Sequence, residues 1–379
     1  MTSPQISLAF PTLPPALDGI GDHTARLAEA LAREASVRVL TAQSDPSPIP
    51  GVTVEQAFSY PPRRGVWSLT ESVPTRRPDW LLVQFNQFSW GRWGFNPILP
   101  VALSALRTRC PEMRLAVLFH EDFLPAASWK DAIMTTWQRA QFWALGRLAD
   151  LAFFSIAPWV RTYDSWFPNT PVHHLPVGSN IPRHEASRTE IRRSLGFPEE
   201  AFVMGVFGSL HESRLLSHIR HAARSVARDA TAPRLLYIGP HGDSFARAMD
   251  ELCVHDAGCL PPAEVSRHFR AMDLYLAPFV DGVSTRRGSF MTGLQHGIPT
   301  VSTIGPLTDP LLQDANDEAH CLAPVDSPGE FARMAHALWN APQRRVQIGR
   351  AGRAFYNTHF AFDVVADRLL NHLSMEVTA

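Results

Sequence analysis

The chain has 379 residues, and its 35 lysines and arginines nearly balance its 36 aspartates and glutamates, giving a net charge of −1. Hydrophobic residues make up 45%, which is typical of a folded globular protein and excludes wholesale disorder. The near-neutral charge excludes the strongly basic domain typical of nucleic-acid binding, so we predict no nucleic-acid partner. This length predicts two domains, each with a full core. Lys130 is the only lysine, so every other cationic side chain is an arginine.

The cysteines and the apolar segments predict the compartment. Cys110, Cys253, Cys259 and Cys321 are too few and too scattered for a disulfide framework, and none forms the C-x-x-C pair of a structural zinc site. The amino terminus lacks the basic segment and long apolar run of a secretory signal. No apolar stretch approaches the roughly 20 residues needed to span a bilayer. We therefore expect a soluble cytoplasmic protein with reduced thiols and no metal.

The first part of the chain alternates predicted strands with predicted helices. Strand–helix–strand repetition predicts parallel pairing, because a parallel connection needs a crossover between its strands. The strands are expected at 6–10, 37–41, 80–84, 114–119 and 151–155, and the helices at 22–33 and about 97–107.

A turn-rich segment at 176–182, followed by a polar stretch to residue 200, predicts a domain boundary. We place the first lobe at 1–178 and the second at 179–379, and leave open whether the last helix packs back on the first lobe. The expected fold class is α/β, with two Rossmann-like lobes facing each other across a cleft and ligands at the carboxyl ends of the strands. The second lobe is expected to contain a helix at 213–228, strands at 234–238 and 274–277, a helix at 288–296, a strand at 300–303 and a helical tail at 328–374.

Two features of the first lobe could carry chemistry. Gly19 and Gly21 lie between the first strand and helix, where glycine lets the backbone approach a ligand and a helix N-terminus favours anions. The segment is not a G-x-G-x-x-G fingerprint, so a tight turn remains the alternative. His120 and Glu121 follow a predicted strand, where an imidazole can bond a substrate hydroxyl and a carboxylate can fix its tautomer. A structural histidine is the alternative, and the spacing does not predict a metal site.

In the second lobe, the loop 281–289 combines glycines, small hydroxyl residues and the adjacent pair Arg286 and Arg287 before a predicted helix. Backbone, hydroxyl and guanidinium donors at a helix start predict an oxyanion cradle. Arg214, in the loop after the lobe's first strand, could add a second cation. An exposed turn with solvated arginines is the alternative for both loops.

Aromatic residues in two further segments suggest interaction surfaces. The loop holding Asn86, Trp90 and Trp93 suits a sugar face, an apolar acceptor or a partner, so we assign these residues to the acceptor side. Ile133, Trp137, Ala140 and Ala144 recur at helical spacing. Such a stripe predicts a core face, with a membrane face as the alternative.

The order of these features resembles the GT-B glycosyltransferases of the GT4 group over essentially the whole chain. The resemblance rests on the run 19–31, on His120 and Glu121 after a strand, on the segment 176–182, and on the sequence HGIPTV at 296–301. It implies a retaining, metal-independent hexosyltransferase that needs no cofactor and takes its sugar from a nucleoside-diphosphate sugar. The second lobe would grip this donor, and the first lobe would hold an acceptor. His120 would contact the donor sugar, and the loop 19–21 would approach the diphosphate.

The chain departs from the family pattern at positions that matter. Ser209 stands where the family carries a phosphate-binding arginine, and Arg214 stands where it carries a lysine. The two family glutamates fall on Ser284 and Thr292, so ribose recognition must differ. The predicted catalytic residues are His120 and Glu121, and the predicted donor-binding residues are Gly19, Gly21, Ser209, Arg214, Gly282, Val283, Ser284, Arg286, Arg287, Ser289 and Thr292.

The missing glutamates keep two alternatives open. The chain could be a catalytically weakened homologue that serves as a binding or scaffolding subunit, or it could run another reaction, such as sugar epimerisation, on the same fold. Epimerases normally use acid–base carboxylates, and no convincing pair is evident. The nucleotide, the sugar and the acceptor, whether saccharide, lipid-linked or protein, are not predicted by the sequence.

Overall fold

The computed structural model describes residues 3–59, 65–123, 128–228, 233–250 and 252–375. By its internal contacts the chain divides into two units, Met1–Pro176 with Phe362–Ala379, and Val177–Ala361. Each unit is a parallel sheet covered by helices. None of the described helices is both long enough and apolar enough to cross a membrane.

The first unit is built on a seven-stranded sheet with the order β3-β2-β1-β4-β5-β6-β7, parallel at every pairing. The strand order reverses between β1 and β4, which is where ligands of such sheets bind, beyond the carboxyl ends of the strands. The strands are β1 Gln5–Ala9, β2 Ser36–Thr41, β3 Thr53–Gln56, β4 Trp80–Phe85, β5 Arg114–Phe119, β6 Leu151–Phe154 and β7 Val172–His174.

The helices of the first unit cover the faces of this sheet. They are α1 Gly19–Leu31, α2 Leu69–Ser72, α3 Gln87–Trp90, α4 Ile98–Arg109, α5 Trp129–Leu148 and α6 Ala157–Tyr163, with short 3-10 turns at 66–68, 73–75, 92–94 and 164–166. Asp18 fixes the start of α1, because its side chain accepts hydrogen bonds from the backbone N–H groups of Ile20 and Gly21.

The outward face of α5 corrects one expectation. The stripe of Ile133 and Ala140 does not form a core face, since both residues are exposed. The buried face combines apolar Phe142 and Leu145 with Gln138 and Gln141. The two amides bond the neighbouring loop: Gln138 Nε2 donates to the Trp93 carbonyl at 3.4 Å and Gln141 Nε2 to the Gly94 carbonyl at 2.7 Å. Because this face is fixed inward by Phe142, Leu145 and the glutamine hydrogen bonds, Ile133 and Ala140 are left facing solvent.

The second unit has a six-stranded parallel sheet with the order β10-β9-β8-β11-β12-β13. Its strands are β8 Phe202–Phe207, β9 Pro233–Ile238, β10 Val254–Asp256, β11 Leu274–Ala277, β12 Thr300–Ile304 and β13 Cys321–Pro324. Its helices are α7 Arg188–Ser194, α8 Leu216–Ala227, α9 Gly242–Met249, α10 Pro262–Phe269, α11 Gly288–His296, α12 Pro310–Asp314, α13 Pro328–Asn340 and α14 Pro342–His359. Apolar clusters fill both faces of the sheet.

The predicted helical tail is three helices rather than one. Prolines occupy the first positions of α13 and α14. Proline is favoured there because the first N–H groups of a helix make no intrahelical hydrogen bond, so its missing N–H costs nothing. The last helix, α15 Phe362–Met375, belongs to the first unit. Its Val365 and Leu369 are buried in one apolar cluster with Leu27 of α1.

Candidate functional site

Arg214 is the centre of the candidate site in the second unit. It follows β8 and is only 8% exposed. Its Nη2 donates to the Phe207 carbonyl at 2.8 Å, and its guanidinium carbon lies 5.2 Å from the centroid of the Phe279 ring. Within the described chain, its Nε and Nη1 have no hydrogen-bond partner. A buried cation with open N–H donors is costly unless an anion completes it.

Arg287 brings a second guanidinium to the same aromatic ring. Its guanidinium carbon lies 4.7 Å from the Phe279 centroid, and its Nη1 is 3.5 Å from Ser213 Oγ. The ring attracts each cation through its π-face, but two guanidinium groups beside one ring repel each other. A multivalent anion would relieve that repulsion and accept hydrogen bonds from both side chains.

A glycine turn and a helix start adjoin the arginines. Gly208 has φ of +107°, and a Cβ at this position would lie 3.2 Å from Arg214 Nη2 and 3.8 Å from the Ser289 Cβ. Ser289 is in the first turn of α11, at the helix end where the dipole favours negative charge. Ser209, next to this turn, is exposed. The structure thus brings together four residues from two separate segments: Gly208, Arg214, Arg287 and Ser289.

The residues at the family's glutamate positions lie beneath this site rather than on its surface. Ser284 and Thr292 are each 1% exposed. Thr292 Oγ1 donates to the Gly288 carbonyl at 2.9 Å and is hydrogen-bonded to Ser179 Oγ at 3.0 Å. Its hydroxyl is therefore committed to holding the start of α11 in place.

The preceding part of the loop is also structural. Gly282 has φ of +82°, and a Cβ there would meet Thr308 Oγ1 at 2.2 Å and the Gly305 nitrogen at 2.3 Å, so only glycine fits. Val283 has no exposed surface. The predicted donor loop therefore divides into a packed part at 282–285 and a half-buried part at 286–289 that can meet a ligand.

In the first unit, His120 lies directly after β5 and forms a buried cluster with His23. The two rings meet edge to face with centroids 5.3 Å apart. His120 Nε2 donates to Gln84 Oε1 at 2.6 Å, since an amide oxygen can only accept, and this leaves Nδ1 as an acceptor. Neither ring nitrogen of His23 has a hydrogen-bond partner among the residues the structure covers.

Burial sets the charge of this cluster. It lowers the pKa of His23 to about 4, and burial together with the neighbouring His23 holds the pKa of His120 well below its usual range. Both imidazoles are therefore neutral near pH 7. The pKa of the Asp22 carboxyl is shifted upward instead, to about 6. Burial is the main cause and the neighbouring Asp18 the second, while Arg26 acts in the opposite direction.

Asp122, two residues after His120, makes contacts away from the histidine pair. Asp122 Oδ2 accepts a hydrogen bond from the Tyr163 hydroxyl at 3.0 Å, and its backbone carbonyl accepts one from Gln87 Nε2. Glu121, predicted to orient the imidazole, is half-buried. The hydrogen bond to the His120 ring comes from Gln84, a residue that the sequence did not predict for the site.

The two glycines near the start of α1 differ in their surroundings. A Cβ on Gly21 would lie 2.5 Å from the Thr12 carbonyl oxygen, so this glycine allows helix and loop to pack closely. A Cβ on Gly19 would meet nothing within 4 Å. Only the Gly19 side of the turn has room for a ligand.

The predicted acceptor residues also divide. Trp93 is 60% exposed, and Asn86 is half-buried and caps α3 by accepting a hydrogen bond from the Phe88 nitrogen at 2.9 Å. Trp90 has no exposed surface, because it stacks on Phe58 and donates from Nε1 to the Gln84 carbonyl. Its ring is part of the core and offers no face to an acceptor.

No metal cluster is evident in the part of the chain that the structure describes, where no three His, Cys, Asp or Glu side chains are grouped to hold an ion. At the candidate site of the second unit, arginine side chains and the α11 N-terminus supply positive charge. Phe279 and Gly208, which complete that site, are the residues that the sequence-based selection omitted.

Solved structures with the same architecture are numerous, although no family model and no curated protein matches the chain. Sucrose-phosphate synthase from Thermosynechococcus elongatus superposes with a TM-score of 0.74 at 15% identity, covering 99% of both chains. The predicted two-lobed architecture is confirmed. The chain has the GT-B fold.

Other GT-B structures widen the comparison. Anabaena HepE, solved in complex with UDP-glucose, gives a TM-score of 0.66 at 14% identity over 97% of this chain and 99% of its own. A putative UDP-N-acetylglucosamine 2-epimerase from Listeria monocytogenes gives a TM-score of 0.62 at 13% identity over 100% and 97%. The GT-B fold thus carries more than one reaction, and function must be argued from the site.

Proposed function

We propose that this protein is a retaining glycosyltransferase that moves a sugar from a nucleoside-diphosphate sugar to an acceptor hydroxyl. The observation that carries the proposal is the pair Arg214 and Arg287 on the ring of Phe279, beside a glycine turn and the start of α11. Two fork-shaped cations and backbone N–H groups match the charge and geometry of a diphosphate. The complex of the GT-B protein HepE with UDP-glucose supports the same ligand class.

In this proposal the second unit binds the donor and stabilises its departure. As the bond from the anomeric carbon to the diphosphate oxygen breaks, negative charge grows on the leaving group. Arg214 and Arg287 stabilise that charge, and electrostatic help of this kind is commonly the largest contribution to such a step. Because the arginines supply the charge, the reaction needs no metal. The acceptor hydroxyl attacks from the face that the diphosphate leaves and gives its proton to the departing diphosphate oxygen, so the anomeric configuration is retained.

The first unit contributes the neutral imidazole of His120 and the acceptor residues. With Nε2 engaged by Gln84, its Nδ1 can accept a hydrogen bond from a sugar hydroxyl. Asn86 and Trp93 are the accessible members of the predicted acceptor set. The four cysteines are free thiols, which agrees with a cytoplasmic place of action.

A thermal-shift screen with UDP-, GDP-, ADP- and TDP-sugars tests the donor assignment. A true donor at about 100 times its Kd stabilises the folded state by about 2.7 kcal/mol. Sugars of one nucleotide should therefore raise Tm clearly more than sugars of the other three. Arg214→Ala should weaken that donor at least about tenfold, because it removes charge-assisted bonds. Arg224→Ala, an exposed arginine paired with Asp250 on the outside of the unit, is the matched control and should leave the shift unchanged. If no sugar nucleotide shifts Tm, the proposal is wrong.

Buried Ser284 and Thr292 favour one second candidate, a weakened GT-B homologue that binds a sugar nucleotide without turning it over. Donor hydrolysis in the absence of acceptor separates the two. An enzyme should release nucleoside diphosphate above background, and the released sugar, examined by NMR, should keep its ring configuration except at the anomeric carbon. A binding subunit should shift Tm but release nothing, and an epimerised sugar would assign a different reaction.

A further inference from the structure

The exposed face of α5 carries large apolar side chains along its length. Trp129 is 71% exposed, Ile133 50% and Trp143 49%. These positions lie on one side of the helix, since residues three, four and seven apart share a face. The intervening Thr136 and Ala140 on this side are small and exposed as well. A helix on a soluble surface is expected to show the reverse pattern.

The exposure is fixed by what the other face does. Gln138 and Gln141 are buried, and Gln141 donates to the Gly94 carbonyl while its Oε1 accepts from the Asn96 nitrogen at 2.5 Å. Rotating α5 to bury its tryptophans would strip these amides of their partners inside the protein. The rotation would also expose Phe142 and Leu145, which are fully buried on the same inward face. The hydrogen bonds and apolar contacts of the inward face therefore keep the tryptophans outward.

Helix α4 extends this apolar surface sideways. Val101 is 57% exposed, and it lines an open groove of about 660 Å³ together with Trp143 and Ala144 of α5. On its other side Val101 lines a second groove, of about 580 Å³, with Trp67 and Ile98. The α4–α5 face, defined as the outward sides of these two helices with Trp67, is thus continuous rather than a scatter of single apolar residues.

Cations accompany the tryptophans of this face. Lys130 Nζ lies 5.6 Å from the Trp129 ring centroid, and the Arg147 guanidinium lies 5.2 Å from that of Trp143. Lys130 and Arg147 are both exposed. A cationic side chain therefore accompanies the exposed tryptophan near each end of α5.

We infer that the α4–α5 face docks on the surface of an anionic lipid bilayer. Tryptophan is enriched where water meets lipid, because its ring is amphipathic, and lysine or arginine beside it reaches acidic headgroups. A helix that lies in the interface needs exposed apolar and cationic residues but not the length to span. A protein partner fits less well, since charged residues are depleted at the core of protein interfaces. The inference stands independently of the sugar-transfer proposal.

Vesicle sedimentation of the full chain tests this inference. Wild-type protein should pellet with vesicles of phosphatidylcholine and phosphatidylglycerol, and less with phosphatidylcholine alone. The combined variant Trp129→Ser, Ile133→Ser and Trp143→Ser should bind at least about tenfold more weakly, because it removes the inserted apolar area. Val346→Ser, which removes a 55% exposed valine from α14, is the matched control and should bind like wild type.

A second pair of variants isolates the electrostatic part. Lys130→Gln and Arg147→Gln should each reduce binding to the anionic vesicles by about fivefold while leaving binding to neutral vesicles unchanged. Raising salt from about 0.1 M to about 1 M should act in the same direction. Thermal melts establish that each variant is folded. The inference is overturned if wild-type protein binds neither vesicle, if the serine variant binds as well as wild type, or if these residues instead mediate a dimer seen by size exclusion.

Discussion

The rings of His23 and His120 stand at 76° to each other with their centroids 5.3 Å apart, and both side chains are buried. His120 is hydrogen-bonded to the Gln84 amide, whereas the His23 ring packs against apolar groups. These include the Phe362 ring, whose centroid lies 5.4 Å from that of His23. A proton on either ring would place a charge in this enclosure without a counter-ion. The pair therefore makes the first unit sensitive to acid.

The acid sensitivity is predicted to depend measurably on His23. Its folded-state pKa of about 4 lies below the unfolded value of 6.5, so the unfolded state binds more protons between these values. Stability from the neutral ring is present above pH 6.5 and is lost as the pH falls toward 4. His23→Leu should therefore reduce the loss of unfolding free energy between about pH 7 and about pH 5 by about 2 kcal/mol.

Denaturant titration at the two pH values measures this difference. His221→Leu, which removes an exposed histidine of α8, serves as the control and should follow the wild-type pH dependence. Equal losses in His23→Leu and wild type would show that His23 does not carry the effect.

The two glycines before the first helix should respond oppositely to alanine. Gly21→Ala places a Cβ 2.5 Å from the Thr12 carbonyl oxygen and should destabilise the protein by about 1–3 kcal/mol, because backbone must move to relieve the contact. Gly19→Ala meets nothing within 4 Å and should be neutral or slightly stabilising, since alanine restricts the unfolded chain. Thermal unfolding of both variants makes the comparison, and a similar Tm for the two would contradict the packing described for Gly21.

Arg287 is predicted to contribute to donor affinity. Arg287→Ala should weaken donor binding by about tenfold or more, as expected for loss of a charge-assisted hydrogen bond. Arg287→Lys keeps the charge but loses the planar fork, so its affinity should lie between those of alanine and wild type. Calorimetric titration with the nucleotide sugar selected by the thermal screen gives these affinities. Unchanged affinity and turnover in Arg287→Ala would remove this arginine from the site.

Two adjacent arginines on α7 should differ sharply in their effect on stability. Arg192 is 8% exposed and donates to the Asp273 carboxylate at 2.5 Å and to the Ala201 carbonyl at 3.0 Å. Arg192→Ala leaves Asp273 short of a partner and should cost about 3–5 kcal/mol. Arg193 is exposed, so Arg193→Ala should change stability by less than about 0.5 kcal/mol. The midpoints of urea unfolding, measured for both variants and wild type, test this difference. Similar decreases for Arg192→Ala and Arg193→Ala would contradict it.

The central strands could be predicted from sequence because their burial on both faces leaves a continuous apolar run. The expected strands at 114–119 and 274–277 match β5 and β11 in the structure. The edge strands β3 and β10 went unrecognised, since half-exposed positions carry polar residues and no run remains. Pro342 marks a helix start that could be read from the sequence, but the prediction treated 328–374 as one continuous helical tail.

The candidate site shows a different limit. Glycines and arginines at strand ends pointed to Arg214 and Arg287, but their common contact with Phe279 depends on how separate loops fold together. Thr292 occupies a family ligand position yet bonds its own helix, which residue identity alone does not reveal. Gln84 could have been predicted from the sequence. A polar residue near the end of an otherwise apolar strand needs a hydrogen-bond partner once it is buried. In the structure that partner is the His120 ring.

Helix α15 has a consequence for the order of folding during translation. Its apolar residues complete the core beside Leu27 of α1, while the second unit, Val177–Ala361, lies between them in the chain. On the ribosome, the second unit can therefore close before the first, although the first begins to emerge earlier. A nascent chain arrested short of residue 362 would leave α1 without this cover, so we expect it to need a chaperone until the last helix is made.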